Sequence, residues 1–142
     1  MLNFLIPLHP KLVHFPIALI ITALFFELLS RLFKKNLLSE AAVLVYCFAV
    51  VFTPIVVLSG LSEQSRLHLN HPILTQHKTF ALLTMWMATV SLPILWLLNK
   101  FFPKSFKNLF LLLLIILSIT VSLAAFYGGK MVYEYSVGIS SQ

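Results

Sequence analysis

The stretch LVHFPIALIITALFFELLSRLF, residues 12–33, decides the fold. Between His14 at its start and Glu27 near its end it carries no charged residue. A helix of this length rises about 33 Å at about 1.5 Å per residue, enough to cross a hydrocarbon layer of about 30 Å. The same reading extends to residues 40–60, 78–99 and 107–128, which form three more apolar runs. Backbone amides in lipid need internal partners, and uninterrupted apolar runs of this length are helices rather than barrel strands. The sequence therefore predicts an all-α integral membrane protein, a single antiparallel four-helix transmembrane bundle.

Composition agrees. Of 142 residues, 60% are hydrophobic and 10% charged, and the mean hydropathy is +0.99, outside the range of soluble domains. The net charge of +6 is scattered through short polar gaps and makes no continuous basic face, which excludes a nucleic-acid partner. Cys47 is the one cysteine, so there is no intramolecular disulfide and no thiolate metal cluster. The opening MLNFLIPLHP lacks a basic segment and a small-residue cleavage site, so the first run is expected to act as an uncleaved signal anchor.

Charge sets the expected orientation. Arg31, Lys34, Lys35, Lys100, Lys104 and Lys107 lie in the connections 1–2 and 3–4, against Lys11, Arg66, Lys78 and Lys130 on the other side. The positive-inside rule then places the first set in the cytoplasm and both termini outside. His9, His14, His68, His71 and His77 all fall on the outer side, with Tyr127, Tyr133 and Tyr135, while Trp96 falls toward the inner interface.

Helices in lipid approach through small residues. The third helix offers His77, Ala81, Thr84, Ala88 and Ser91 as one stripe. The fourth offers Ser118, Ser122, Ala125 and Gly129, beside Thr120, Ala124 and Gly128. The second offers Ala42, Ala49, Thr53 and Gly60. These stripes allow close packing, and the one beneath His77 also leaves room for a flat cofactor. Glu27 is the carboxylate inside the first run, with Arg31 four residues on. An intramembrane acid marks either function or an i,i+4 ion pair that reaches the interface. It lies about 20 Å along the helix from His14, so the two do not share a site. Pro16 is tolerated near a helix start, whereas Pro54 and Pro93 fall in mid-run and are expected to kink their helices.

Four segments carry a family resemblance: HPKLVHFPIAL at 9–19, LSGLSEQ at 58–64, QHKTFALLT at 76–84 and YGGKMVYEYSVGIS at 127–140. In order, they resemble a bacterial membrane family known only as a domain of unknown function. Its pattern is HP-x-LVHFPIAL at the first of four helices, a histidine at the third, and a GG-x-LVY-x-x-GVGV tail. Two positions depart from it: Ser136 stands where glycine is expected, and Phe126-Tyr127 where many members carry histidine. The resemblance implies a bacterial inner-membrane protein, and members fused to cytochrome-c-like modules imply a redox neighbourhood.

The histidines carry the functional expectation. No serine, cysteine or carboxylate stands at a recognisable spacing from them, which argues against hydrolysis. An ion site from His68, His71 and His77 would rest on H-x2-H-x5-H alone. Haem b accounts for more. His14 and His77, each in a first helical turn on one side, are the favoured axial pair and the first-ranked metal ligands, ahead of His9, His68 and His71. Lys11 and Lys78 are the expected propionate partners, with Arg66 and Lys130 nearby. The expected role is an electron-transfer type subunit contacting the bilayer, a redox or membrane-complex partner, and a second copy of itself. The alternatives are a cofactor-free interaction or assembly subunit, and a metal-ion transporter using Glu27.

Overall fold

A computed structural model describes residues 8–136. The opening MLNFLIP and the last residues of the tail motif, 137–140, lie outside the described residues. Five helices follow in order: α1 (Leu8–Leu12), α2 (His14–Phe33), α3 (Asn36–Leu67), α4 (Pro72–Phe101) and α5 (Pro103–Tyr133). With α1 and α2 taken as one span, four helices are long and apolar enough to cross a membrane. The four expected crossings are present, and each is longer than the apolar run that revealed it.

Punctuation follows from local chemistry. Pro16 has no amide hydrogen for the carbonyl of Leu12, and its ring crowds that carbonyl, so the helix breaks at Val13 and α1 becomes a separate turn. Lys34 closes α2 in the left-handed conformation, its amide bonded to the carbonyl of Ser30. His68 does the same for α3, with φ of 49°. The His71 side chain accepts a hydrogen bond from the amide of Ile73, 3.3 Å, and Pro72 opens α4 where no amide hydrogen is needed. Phe102 alone separates α4 from α5, which again begins on a proline. Pro54 and Pro93 lie inside helices that continue through them.

The spans pack as a closed ring, α2 on α3, α3 on α4, α4 on α5 and α5 back on α2. Short connections make successive neighbours antiparallel. Inside lie Ile20, Ala23, Ala42, Ala49, Ala88, Phe110, Leu114 and Leu117, all fully buried. Outside, Leu44, Val51, Leu58, Trp86, Ile119 and Phe126 are exposed, as expected of a surface facing lipid tails. Ala42, Ala49, Thr53, Thr84, Ala88, Thr120 and Ala124 of the small-residue stripes are buried. Of the stripe Ser118, Ser122, Ala125 and Gly129 on the last span, however, Ser122 and Ala125 are exposed, so on that helix the Thr120–Ala124 face is the one that packs inward.

Polar groups in this core bond across helices. Tyr46 of α3 is 1% exposed, its hydroxyl donates to the Ala88 carbonyl of α4 at 2.9 Å, and its ring meets Phe110 of α5 edge-on at 5.6 Å. Thr84 donates to Thr120 at 3.0 Å, linking α4 to α5. Tyr46→Phe keeps the ring and removes the hydroxyl. It is expected to cost about 1 kcal/mol, read as a lowered midpoint of thermal unfolding in detergent.

A candidate histidine site under the first helical turn

At the histidine end the ring of helices encloses a cavity of about 360 Å³ that is open on one side. Every helix contributes to its wall. His9 comes from α1, His14 and Ile17 from α2, Thr53 and Val57 from α3, His77 and Ala81 from α4, and Ala124 and Gly128 from α5.

His9 and His77 define the site. Their ring centres are 6.1 Å apart, with planes at 76°. Nδ1 of His9 lies 3.0 Å from the carbonyl of Val56 and 3.1 Å from Oγ of Ser59. Nδ1 of His77 lies 2.8 Å from the carbonyl of Ala124. A carbonyl only accepts, so in each ring Nδ1 carries the hydrogen, and in the neutral imidazole Nε2 keeps the lone pair. Two basic nitrogens are thus fixed by tautomer in one apolar cavity.

Glycines seat both rings. A methyl group at Gly60 would lie 2.7 Å from Cε1 of His9, and one at Gly128 would lie 3.1 Å from Nδ1 of His77. Both glycines fall in segments that carry the family resemblance, LSGLSEQ and YGGKMVY. Among helical residues, only glycine lets an imidazole lie this close to a neighbouring backbone.

The remaining histidines have other surroundings. His14 lines the same cavity but is exposed at its wall, and it is His9, one helical break earlier, whose ring meets that of His77. His71 is the cap of α4, its ring centre 4.9 Å from that of Tyr135. His68 is exposed at the end of α3. Among the described residues no three His, Cys, Asp or Glu side chains converge to hold an ion, so His68, His71 and His77 are not gathered at one point. The basic residues around the mouth are mostly engaged: Lys78 donates to Gln64 at 3.4 Å, Lys130 pairs with Glu134 at 3.4 Å, and Arg66 lies 3.9 Å from Glu63. Lys11 is exposed.

Spacing arguments on the sequence missed the His9 partnership because His9 precedes the first apolar run. Gly60 and Gly128 were legible as small residues but not as seats for particular rings.

Glu27 occupies the other end of the bundle. It is 1% exposed, accepts from Nε of Arg31 at 3.2 Å and from Ser39 Oγ at 2.7 Å. Arg31 also donates to Asn108 Oδ1 at 3.0 Å and to the Lys107 carbonyl. Of the two readings of Glu27 open in the sequence, the ion pair with Arg31 is present, and it extends into a clamp joining α2, α3 and α5.

Residues 5–141 match a family model described as "Predicted membrane protein (DUF2231)". No curated protein and no solved structure matches the chain.

Proposed function

The chain belongs to the DUF2231 family of predicted membrane proteins, and from its histidine site we propose that it is a haem b-binding, electron-transfer type membrane protein in which His9 and His77 would hold the haem iron. The observation that carries this reading is the 6.1 Å between the two ring centres. Two imidazoles that would hold one metal through Nε2, at about 2 Å per bond and about 1 Å from nitrogen to ring centre, have centres no more than roughly 6 Å apart. The residues fit the group in two further ways. Each Nδ1 is held by a backbone carbonyl, the arrangement that orients a ligating histidine and raises its basicity. The cavity of about 360 Å³ is apolar and within the usual size of small-molecule sites, roughly 300–1,000 Å³.

Haem would supply a one-electron couple. The chain supplies the rest. The Val56 and Ala124 carbonyls fix the tautomers, Gly60 and Gly128 leave room for the rings, and beneath the site Thr84 donates to Thr120, which in turn donates to the Leu117 carbonyl. Lys11, exposed on the short α1 that carries His9, and Lys78, next in sequence to His77, are the cations that would meet the propionates. The excess of cations at the opposite end supports a bacterial inner membrane with the histidine end outward, where a redox partner would dock.

The test is an absorption spectrum of the detergent-purified protein, as isolated and after dithionite, with iron measured on the same sample. A Soret band that shifts on reduction, with near-stoichiometric iron, is expected. His9→Ala and His77→Ala should each abolish it while leaving insertion intact, and His14→Ala should not. Pigment that survives both His9→Ala and His77→Ala would exclude this ligand pair. The competing reading is a cofactor-free assembly subunit, supported by the carbonyl partners that each imidazole already has. Absence of pigment and iron after haem is supplied during expression would select it.

A further inference from the structure

The end of the bundle away from the histidines carries a feature that electron transfer does not use. We propose that Lys34, Lys35 and Lys104 form a binding site for the phosphate headgroup of an anionic phospholipid.

Two connections lie side by side at this end. Arg31 reaches Asn108 at 3.0 Å, and Lys107 donates to Asn36 at 2.9 Å, which ties the α2–α3 turn to the start of α5. The same ties bring the connection that carries Lys34 and Lys35 to the first turns of α5, whose second residue is Lys104. Arg31 and Lys107 are committed to protein partners, whereas Lys34, Lys35 and Lys104 are exposed and have no ion-pair partner among the described residues. Of the acids here, Glu27 is buried against Arg31, leaving Glu40 in the second turn of α3 as the exposed one. The turn itself is fixed, since the Ser30 carbonyl accepts from the amides of Lys34 and Lys35 and Ser30 Oγ donates to the Lys35 carbonyl at 3.0 Å.

The surroundings of the lysines select the ligand. Leu32, Phe33, Leu37, Phe101 and Phe102 are each more than half exposed beside them, and Lys100 lies over the rings of Trp96 and Phe101 at 5.5 and 5.4 Å. A site for free phosphate needs the cations alone. A phospholipid needs cations at headgroup depth and an apolar rim directly below, and it is attracted electrostatically by clustered lysines at the surface.

The experiment compares thermal unfolding of the full chain in neutral detergent with added phosphatidylglycerol, phosphatidylcholine or inorganic phosphate. Phosphatidylglycerol is expected to raise Tm on the order of 5 °C above phosphatidylcholine. The triple change K34Q/K35Q/K104Q should remove most of that difference and leave Tm in phosphatidylcholine unchanged, and K34R/K35R/K104R should keep it. An equal rise in the glutamine variant, no difference between the two lipids, or equal protection by inorganic phosphate would each overturn the proposal.

Discussion

Arg31→Ala is expected to destabilise the bundle by about 3–5 kcal/mol, because it leaves the Glu27 carboxylate buried with Ser39 as its remaining partner. Glu27 is 1% exposed, and a buried charge stripped of its counter-ion costs more than the ion pair contributes by being present. The loss is compounded by geometry, since the guanidinium also holds Asn108 and the Lys107 carbonyl of α5. Arg31→Lys should recover only part of the stability, as an ammonium lacks the planar fork that serves three acceptors at once. Glu27→Gln should be milder than Arg31→Ala, because its one amide oxygen can still accept from Arg31, its NH2 can donate to Ser39 Oγ, and no buried carboxylate charge remains. Equilibrium unfolding in mixed micelles ranks the three variants. A cost for Arg31→Ala below about 1 kcal/mol would show that the pair is solvated like a surface bridge.

Gly60→Ala is expected to evict the His9 ring while leaving the four spans folded. The new methyl would stand 2.7 Å from Cε1 and 3.0 Å from both ring nitrogens, closer than nonbonded atoms tolerate. The imidazole is at the end of a rotatable side chain on the short α1, so it yields before α3 does. It then loses its bonds to Val56 and Ser59. If His9 is an axial ligand, six-coordinate pigment falls to background in this variant, although neither histidine has been changed. Gly129→Ala adds a methyl with no atom within 4 Å of it, clear of both rings although Gly129 also lines the cavity, and so separates displacement of His9 from a change in the cavity wall. Unchanged spectra in both variants would sever the glycine seat from the site.

The helices were legible because an apolar run can hide its backbone in lipid only by coiling. Their ends were not. The second run was expected over 40–60, yet α3 extends from Asn36 to Leu67, since SEQSR is polar but compatible with a helix once clear of hydrocarbon. The fourth run continues likewise through GGKMVY to Tyr133, glycines included, because neighbouring helices support it. Of the site, His77 and the small stripe beneath it were readable from spacing. The choice of His9 over His14 as the facing ring was not, since it depends on a break at Val13 and on a glycine 51 positions away in the chain.

The chain is also two helical hairpins, α1–α2 with α3 and α4 with α5, whose internal contacts are more extensive than those between them. His9 takes its carbonyl from α3, within the first hairpin, and His77 takes its own from α5, within the second. Each imidazole can therefore be oriented as soon as its hairpin has inserted, before the halves meet. The pair itself comes into being only at docking, across the seam. The site therefore exists only where the two hairpins are docked, and a group bridging the two rings would act as a rivet across their seam.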